Sequence, residues 1–177
     1  MKKQKGFSLI ELLIVVAIIL IIAAIAIPNL LRSKIAANES SAVGSVRTIG
    51  TAEVTYQSSW GMGYATVITR LGGPAPCTIA SSALACLIDP LLSVAPFIKS
   101  GYNFNAFGTL PDAAGLLNGF EVNAWPTNVQ TTGVRAFCDD HTGVIRFVSP
   151  SVGAISAAAG GCAGVPTTPG VSGPVGN

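Results

Sequence analysis

The first hydrophobic run begins at Phe7 and reaches Ile27, and a single charge, Glu11, interrupts it. About 20 apolar residues in succession are enough to cross a bilayer as one helix. Pro28 comes immediately after, and its ring clashes with the carbonyl four residues back, so a kink or a weakening is expected there. Beyond it the pattern turns amphipathic. Ala42, Val46, Ile49, Tyr56 and Trp60 recur at steps of three, four or seven, the spacing of one buried helical stripe. Glu39, Ser45, Arg47 and Gln57 are assigned to the other faces. Gly44 and Gly50 each weaken such a helix by about 1 kcal/mol relative to Ala. Ser and Gly cluster at Ser58–Gly61, where the helix is expected to end.

Residues 61–100 lose any period. Gly61, Gly63, Gly72, Gly73, Pro74 and Pro76 mark a long connection with room for about one helical turn. After Ser100 the period becomes two. Tyr102, Phe104 and Ala106 alternate with Asn103 and Asn105, and Phe120, Val122 and Ala124 alternate with Glu121 and Asn123. The runs VRAFC (134–138) and VIRFV (144–148) flank Asp139-Asp140-His141-Thr142-Gly143, which reads as a hairpin loop. About four antiparallel strands result. Their apolar face needs a cover, which the stripe from Ala42 to Trp60 supplies. The expected fold is therefore α+β: a long N-terminal helix, membrane-spanning in its first half and amphipathic in its second, packed on a small antiparallel sheet. The expected divisions are a leader at 1–6, an apolar helix at 7–28, an amphipathic half at 29–60, a globular head at 61–162 and a flexible tail at 163–177, rich in Gly, Pro, Val and Thr.

At 177 residues there is room for one long helix and one compact domain. Half the residues are hydrophobic and 10% are charged, low for a soluble domain. Lys2, Lys3 and Lys5 precede the apolar run, the positive-inside arrangement that keeps the N-terminus cytoplasmic and exports the domain after Pro28. The chain holds 10 Lys+Arg and 8 Asp+Glu; without those three lysines, seven bases face eight acids. Arg32, Lys34, Arg47, Arg70, Lys99, Arg135 and Arg146 are scattered, so no specific nucleic-acid partner is expected.

Four cysteines in an exported domain suggest two disulfides, for which three connectivities exist. Short local closure favours Cys77 with Cys86. Zinc does not fit, because no C-x2-C pair is present and His141 is the only His. Asp139, Asp140 and His141 read as a solvated turn before a calcium or catalytic site, Asp being common in turns for its local hydrogen bonds. There is no G-x-S-x-G and no phosphate-cradling Gly loop. No catalytic residue, metal or cofactor is assigned. Trp60 and Tyr64 are expected to pack rather than to bind a ligand.

Glu11 is the residue that asks for an explanation, since a carboxylate at bilayer depth costs roughly 2.5–3.5 kcal/mol even on lenient scales. An ordinary secretory signal is a rival reading, with Ala24-Ile25-Ala26 as its cleavage site. Glu11 would then interrupt the apolar region, and Pro28 would lie two residues past the cut. An inert anchor leaves Glu11 without purpose.

The segment GFSLIEL (6–12) with the long apolar helix behind it resembles the N-terminus of type IV pilins and pseudopilins, with their type IIIc-style leader. The resemblance implies that a membrane-embedded prepilin peptidase cuts after Gly6 and methylates the new amine of Phe7. It implies that mature subunits stack by their apolar helices, with Glu11 of one facing the Phe7 amine of another. It also implies the long helix on an antiparallel sheet, and a C-terminal disulfide loop pairing Cys138 with Cys162. The phrase DDHTGVIRF is similar to the late hairpin of many pilin-like proteins. Many relatives carry Gly in the middle of the apolar helix where this chain has Leu20, so any unwinding near Pro28 is expected over a shorter stretch.

The function expected is that of a structural prepilin, not an enzyme: a subunit of a type IV pilus that polymerises with itself and with other pilins. A pseudopilin of a type II secretion system is the alternative. The implied partners are the peptidase, the assembly platform and the inner membrane, and the implied destination is an extracellular filament.

Overall fold

The computed structural model describes residues 8–73, 75–151, 153–155 and 161–176. The chain divides into two units, Met1–Lys34 and Ile35–Asn177. Helix α1 spans Leu9–Trp60, 52 residues, and runs without interruption through Pro28. The expected weakening there takes no more than the one N–H donor that Pro lacks. Helical hydrogen bonding resumes on both sides, among strong helix formers such as Leu30 and Leu31. In the first unit the apolar side chains are bare, from Leu9 at 75% exposure to Ile27 at 58%. The helix stops at Trp60, where Gly61 takes the left-handed conformation (φ 63°). Its N–H donates to the Gln57 carbonyl at 2.9 Å, the closing bond of an αL cap.

The second unit is the head. Residues 61–100 hold more order than their punctuation suggests: a 3-10 turn at Ile68–Leu71 and a short helix α2 at Pro90–Ser93. Asp89 caps α2 by accepting from the Leu91 N–H at 2.8 Å. Six strands come next in simple antiparallel succession: β1 Ile98–Lys99, β2 Tyr102–Pro111, β3 Leu117–Pro126, β4 Ala136–Asp140, β5 Arg146–Val148 and β6 Ser172–Pro174. The two long strands pair from Tyr102↔Pro126 to Pro111↔Leu117. The core joins the helix stripe (Ala42, Val46, Ile49, Ala52, Tyr56) to the inner face of the sheet (Tyr102, Phe104, Ala106, Phe120, Val122, Ala124, Phe137). The fold is the expected α+β one, a long N-terminal helix whose part in the second unit packs on an antiparallel sheet.

Three expectations change. The sheet has six strands rather than about four, because β1 and β6 are two and three residues long, too short to show a period. Residues 172–174 do not trail in a loose tail. They pair with β5 through Val148↔Ser172 and Arg146↔Pro174, and the Ser172 hydroxyl donates to the Pro166 carbonyl at 2.6 Å. Asp139 and Asp140 do not sit in a solvated turn. They end β4, opposite Val122 and Glu121, and both are buried. The turn proper is His141-Thr142-Gly143, with Gly143 at φ 73°.

Gly50 is the close-approach point of helix and sheet, since a Cβ there would lie 2.6 Å from Asp139 Oδ2. Gly50→Ala gains about 1 kcal/mol of helix propensity. Overpacking at such a contact costs about 1–3 kcal/mol, so net destabilisation is expected. Thermal unfolding checks it, and a Gly50→Ala chain that melts higher than the parent would contradict it.

Candidate assembly segment and the buried carboxylates

Ser8 precedes the first helical residue, and Glu11 lies three residues later, the spacing of a capping box. Glu11 Oε2 accepts the Ser8 backbone N–H at 2.9 Å. One orphan donor of the helix start is thus satisfied, and the anion sits at the positive end of the helix dipole. Among the described residues Glu11 has no cationic partner. Gly6 and Phe7, the expected cleavage and methylation positions, lie outside the described residues. α1 is the one helix among the described residues long and apolar enough to cross a membrane, and none of its apolar window is buried.

In the head, the helix stripe carries two acids that sequence reasoning misplaced or passed over. Glu39, assigned to an outer face, is buried. Its Oε1 accepts the Val134 and Arg135 N–H groups at 2.9 and 3.0 Å, and its Oε2 takes Arg135 Nε at 2.8 Å and an ion-paired Nη at 2.7 Å. Arg135 also stands over the Phe137 and Phe147 rings, 5.5 and 5.6 Å from their centroids. Beside it, Asn38 Nδ2 donates to the Thr132 carbonyl at 2.8 Å. These contacts fasten the helix to the β3–β4 connection. Burial, with the Glu39 charge next, pushes the Tyr102 phenol well above its ordinary range, so its hydroxyl stays a donor to the Arg135 carbonyl at 2.9 Å.

Glu53 is fully buried (0% exposed). Its Oε2 accepts the Ala65 N–H at 2.8 Å, and its Oε1 has no partner. The signal for both residues was available: 39, 42, 46, 49, 53, 56 and 60 step by three or four, so both acids sit on the apolar ladder.

On the opposite face of the sheet, Glu121 holds the C-terminal segment. Its Oε1 accepts Asn123 Nδ2 at 2.8 Å, and its Oε2 accepts the Cys162 N–H at 3.2 Å. Gly161 approaches the Glu121 carboxylate at φ 62°, the left-handed conformation that favours glycine. Two disulfides are formed, Cys77–Cys86 and Cys138–Cys162, spanning 9 and 24 residues. Cys138 and Cys162 are both buried, in a small cluster with Val165. Opening the longer loop by replacing both with Ser is expected to cost about 3 kcal/mol through the freed unfolded chain. Denaturant unfolding of the double variant measures it, and an unchanged midpoint would contradict it. Trp60 packs on Tyr56 and Tyr64 on Phe120, each with ring centroids 5.1 Å apart. No group of three or more His, Cys, Asp or Glu placed to hold a metal exists among the described residues.

Residues 1–27 match the family described as the prokaryotic N-terminal methylation motif. Over 40 residues the chain is 60% identical to the type IV wide pilus major component PilA4 of Thermus thermophilus, covering 23% of this chain and 30% of that protein. Over 56 residues it is 45% identical to the type IV major pilin protein PilA of Myxococcus xanthus, covering 32% of this chain and 26% of that one. The chain thus spans less than a third of the length of these curated relatives. No solved structure matches. The chain matches the prokaryotic N-terminal methylation motif at residues 1–27 and is similar, over 40 and 56 residues, to proteins named as type IV pilus components.

Proposed function

We propose that this chain is a prepilin whose mature form is a structural subunit of a type IV pilus. The observation that carries the reading is the bare apolar stretch of the first unit's helix, from Leu9 to Ile27, broken only by Glu11 at its start. Such a surface is stable only in lipid or against copies of itself. In this reading the lysine-rich leader holds the precursor in the inner membrane with the head exported. Cleavage after Gly6 frees the Phe7 amine, which is then methylated, and the assembly platform moves the subunit into an extracellular filament. Glu11 lies four residues after Phe7, about 6 Å along the axis. Dehydrated together in a filament, the Phe7 amine of one subunit and the Glu11 carboxylate of another neutralise each other. The work is polymerisation, and both relatives are named as major pilus components.

The test is the N-terminal sequence and mass of chain recovered from sheared surface fibres. N-methylated Phe7 as the first residue is expected. A mature start at Ile27 or beyond, or no chain in the fibres, would overturn the proposal.

A further inference from the structure

We propose that the seam between residues 35–60 of α1 and the sheet is a proton-operated clamp: Glu53 and Asp139 hold it closed as neutral acids and loosen it when they ionise. The geometry places both acids in the seam, Glu53 with no ion-pair partner among the described residues and Asp139 with the Arg47 charge of α1 as its one cationic influence. Glu53 is on the core stripe with Ile49, Ala52 and Tyr56, has one backbone donor and leaves Oε1 bare. Asp139 faces the same helix one turn earlier, with Oδ2 against Gly50 and Oδ1 accepting the Asp140 N–H at 3.0 Å. A lone ionised carboxylate in such a place draws in water or shifts the packing around it, because burying it unpaired is too costly.

The groups around them offset a charge on either acid only in part. From the 61–71 segment Glu53 accepts the Ala65 N–H. The titratable members of the core are Tyr56, whose hydroxyl is taken by the Ser82 carbonyl, and Tyr102, whose hydroxyl is taken by Arg135. Asp139 has Arg47 of α1 near enough to favour its charge and Asp140 near enough to oppose it, and its β3 partner is Val122. Burial is the largest influence on both. It raises Glu53 to about 7 against the lowering by the Ala65 N–H, and it raises Asp139 to about 6.

Both acids are raised in the folded state, so the folded chain binds more protons than the unfolded one between the ordinary and the raised values. Their contribution is full below about pH 4 and is lost as pH climbs through 6 and 7. The clamp is tight in mild acid and loosens toward weak base. Two raised values of this size amount to more than a tenfold change in the local opening equilibrium.

The experiment uses the full chain in detergent micelles, in a His141→Gln background that removes its one imidazole. Amide exchange of residues 49–56, corrected for its intrinsic pH dependence, is compared at about pH 5 and about pH 8. Opening is expected to rise more than tenfold. Glu53→Gln should remove the larger part of that rise, and Asp139→Asn the part nearest pH 6. A rise that survives both substitutions, or no rise at all, overturns the proposal. If Glu53→Gln fails to fold, carboxyl-carbon NMR of the His141→Gln chain decides: a Glu53 midpoint near 7 supports the clamp, and one near the ordinary 4.5 overturns it.

Discussion

Glu11→Gln is expected to be processed, methylated and inserted normally, and to yield at least tenfold fewer filaments. The choice of Gln matters. Glu11 caps its own helix through the Ser8 N–H, and in the proposed function it also offers a charge to a neighbour, a separable role. Gln at the same place still reaches the Ser8 N–H, because a capping box accepts either residue. It also removes the roughly 2.5–3.5 kcal/mol cost of a carboxylate in lipid, so the precursor should sit in the membrane at least as comfortably. Only the charge is lost. An unpaired Phe7 amine in a dry filament core then costs roughly 3–5 kcal/mol, a factor of more than a hundred in each association step. Glu11→Ala loses the cap as well, worth about 1 kcal/mol, and should be slightly worse. Sheared-fibre yield against total processed chain measures both. If Gln assembles normally and Ala does not, the residue is a helix cap and the charge has no part in assembly.

Glu39→Ala is expected to lower the stability of the head by about 3 kcal/mol, or roughly 10 °C in melting temperature. The buried carboxylate satisfies two backbone donors and holds Arg135 at once. Truncation leaves the Val134 and Arg135 N–H groups unpaired beneath the helix, at roughly 1–3 kcal/mol each before water enters. The guanidinium is partly exposed, so its own loss is small. Glu39→Gln keeps an acceptor for the two amides and should recover more than half of the difference. Circular-dichroism melting of the three chains decides. An Ala variant within about 0.5 kcal/mol of the parent would show that the contacts fastening the β3–β4 connection to the helix contribute nothing.

The elements that repeat were legible in the sequence. The apolar run, described from Leu9 to Ile27, the ladder from Ala42 to Trp60, and the alternations at Tyr102–Ala106 and Phe120–Ala124 each carry enough positions to reveal a pattern, and each forms the element it suggests. The failures are of another kind. β1 is a two-residue strand that turns straight back into β2, too short to show a period, and β6 is set by β5, a partner distant in sequence that no local pattern reports. Polar residues misled wherever burial was decided by tertiary pairing. Asp139 and Asp140 have the composition of a turn, yet β3 draws them into the ladder opposite Val122 and Glu121. Glu39 and Glu53 lie on the apolar ladder by spacing, but their chemistry argues for solvent until an Arg135 or an Ala65 N–H is supplied by the fold. At the N-terminus the capping box was readable as Ser8-x-x-Glu11. No local pattern says whether that bond or a neighbour's amine claims the carboxylate in the assembled state.

Which of the two claims it decides how the filament is held, and a side-chain-resolution reconstruction of the native filament tests this most directly. Each Glu11 carboxylate is predicted to lie within about 4 Å of the methylated Phe7 amine of an adjacent subunit. A filament in which Glu11 turns back to its own Ser8 amide, with every Phe7 amine remote from it, would contradict assembly through that charge.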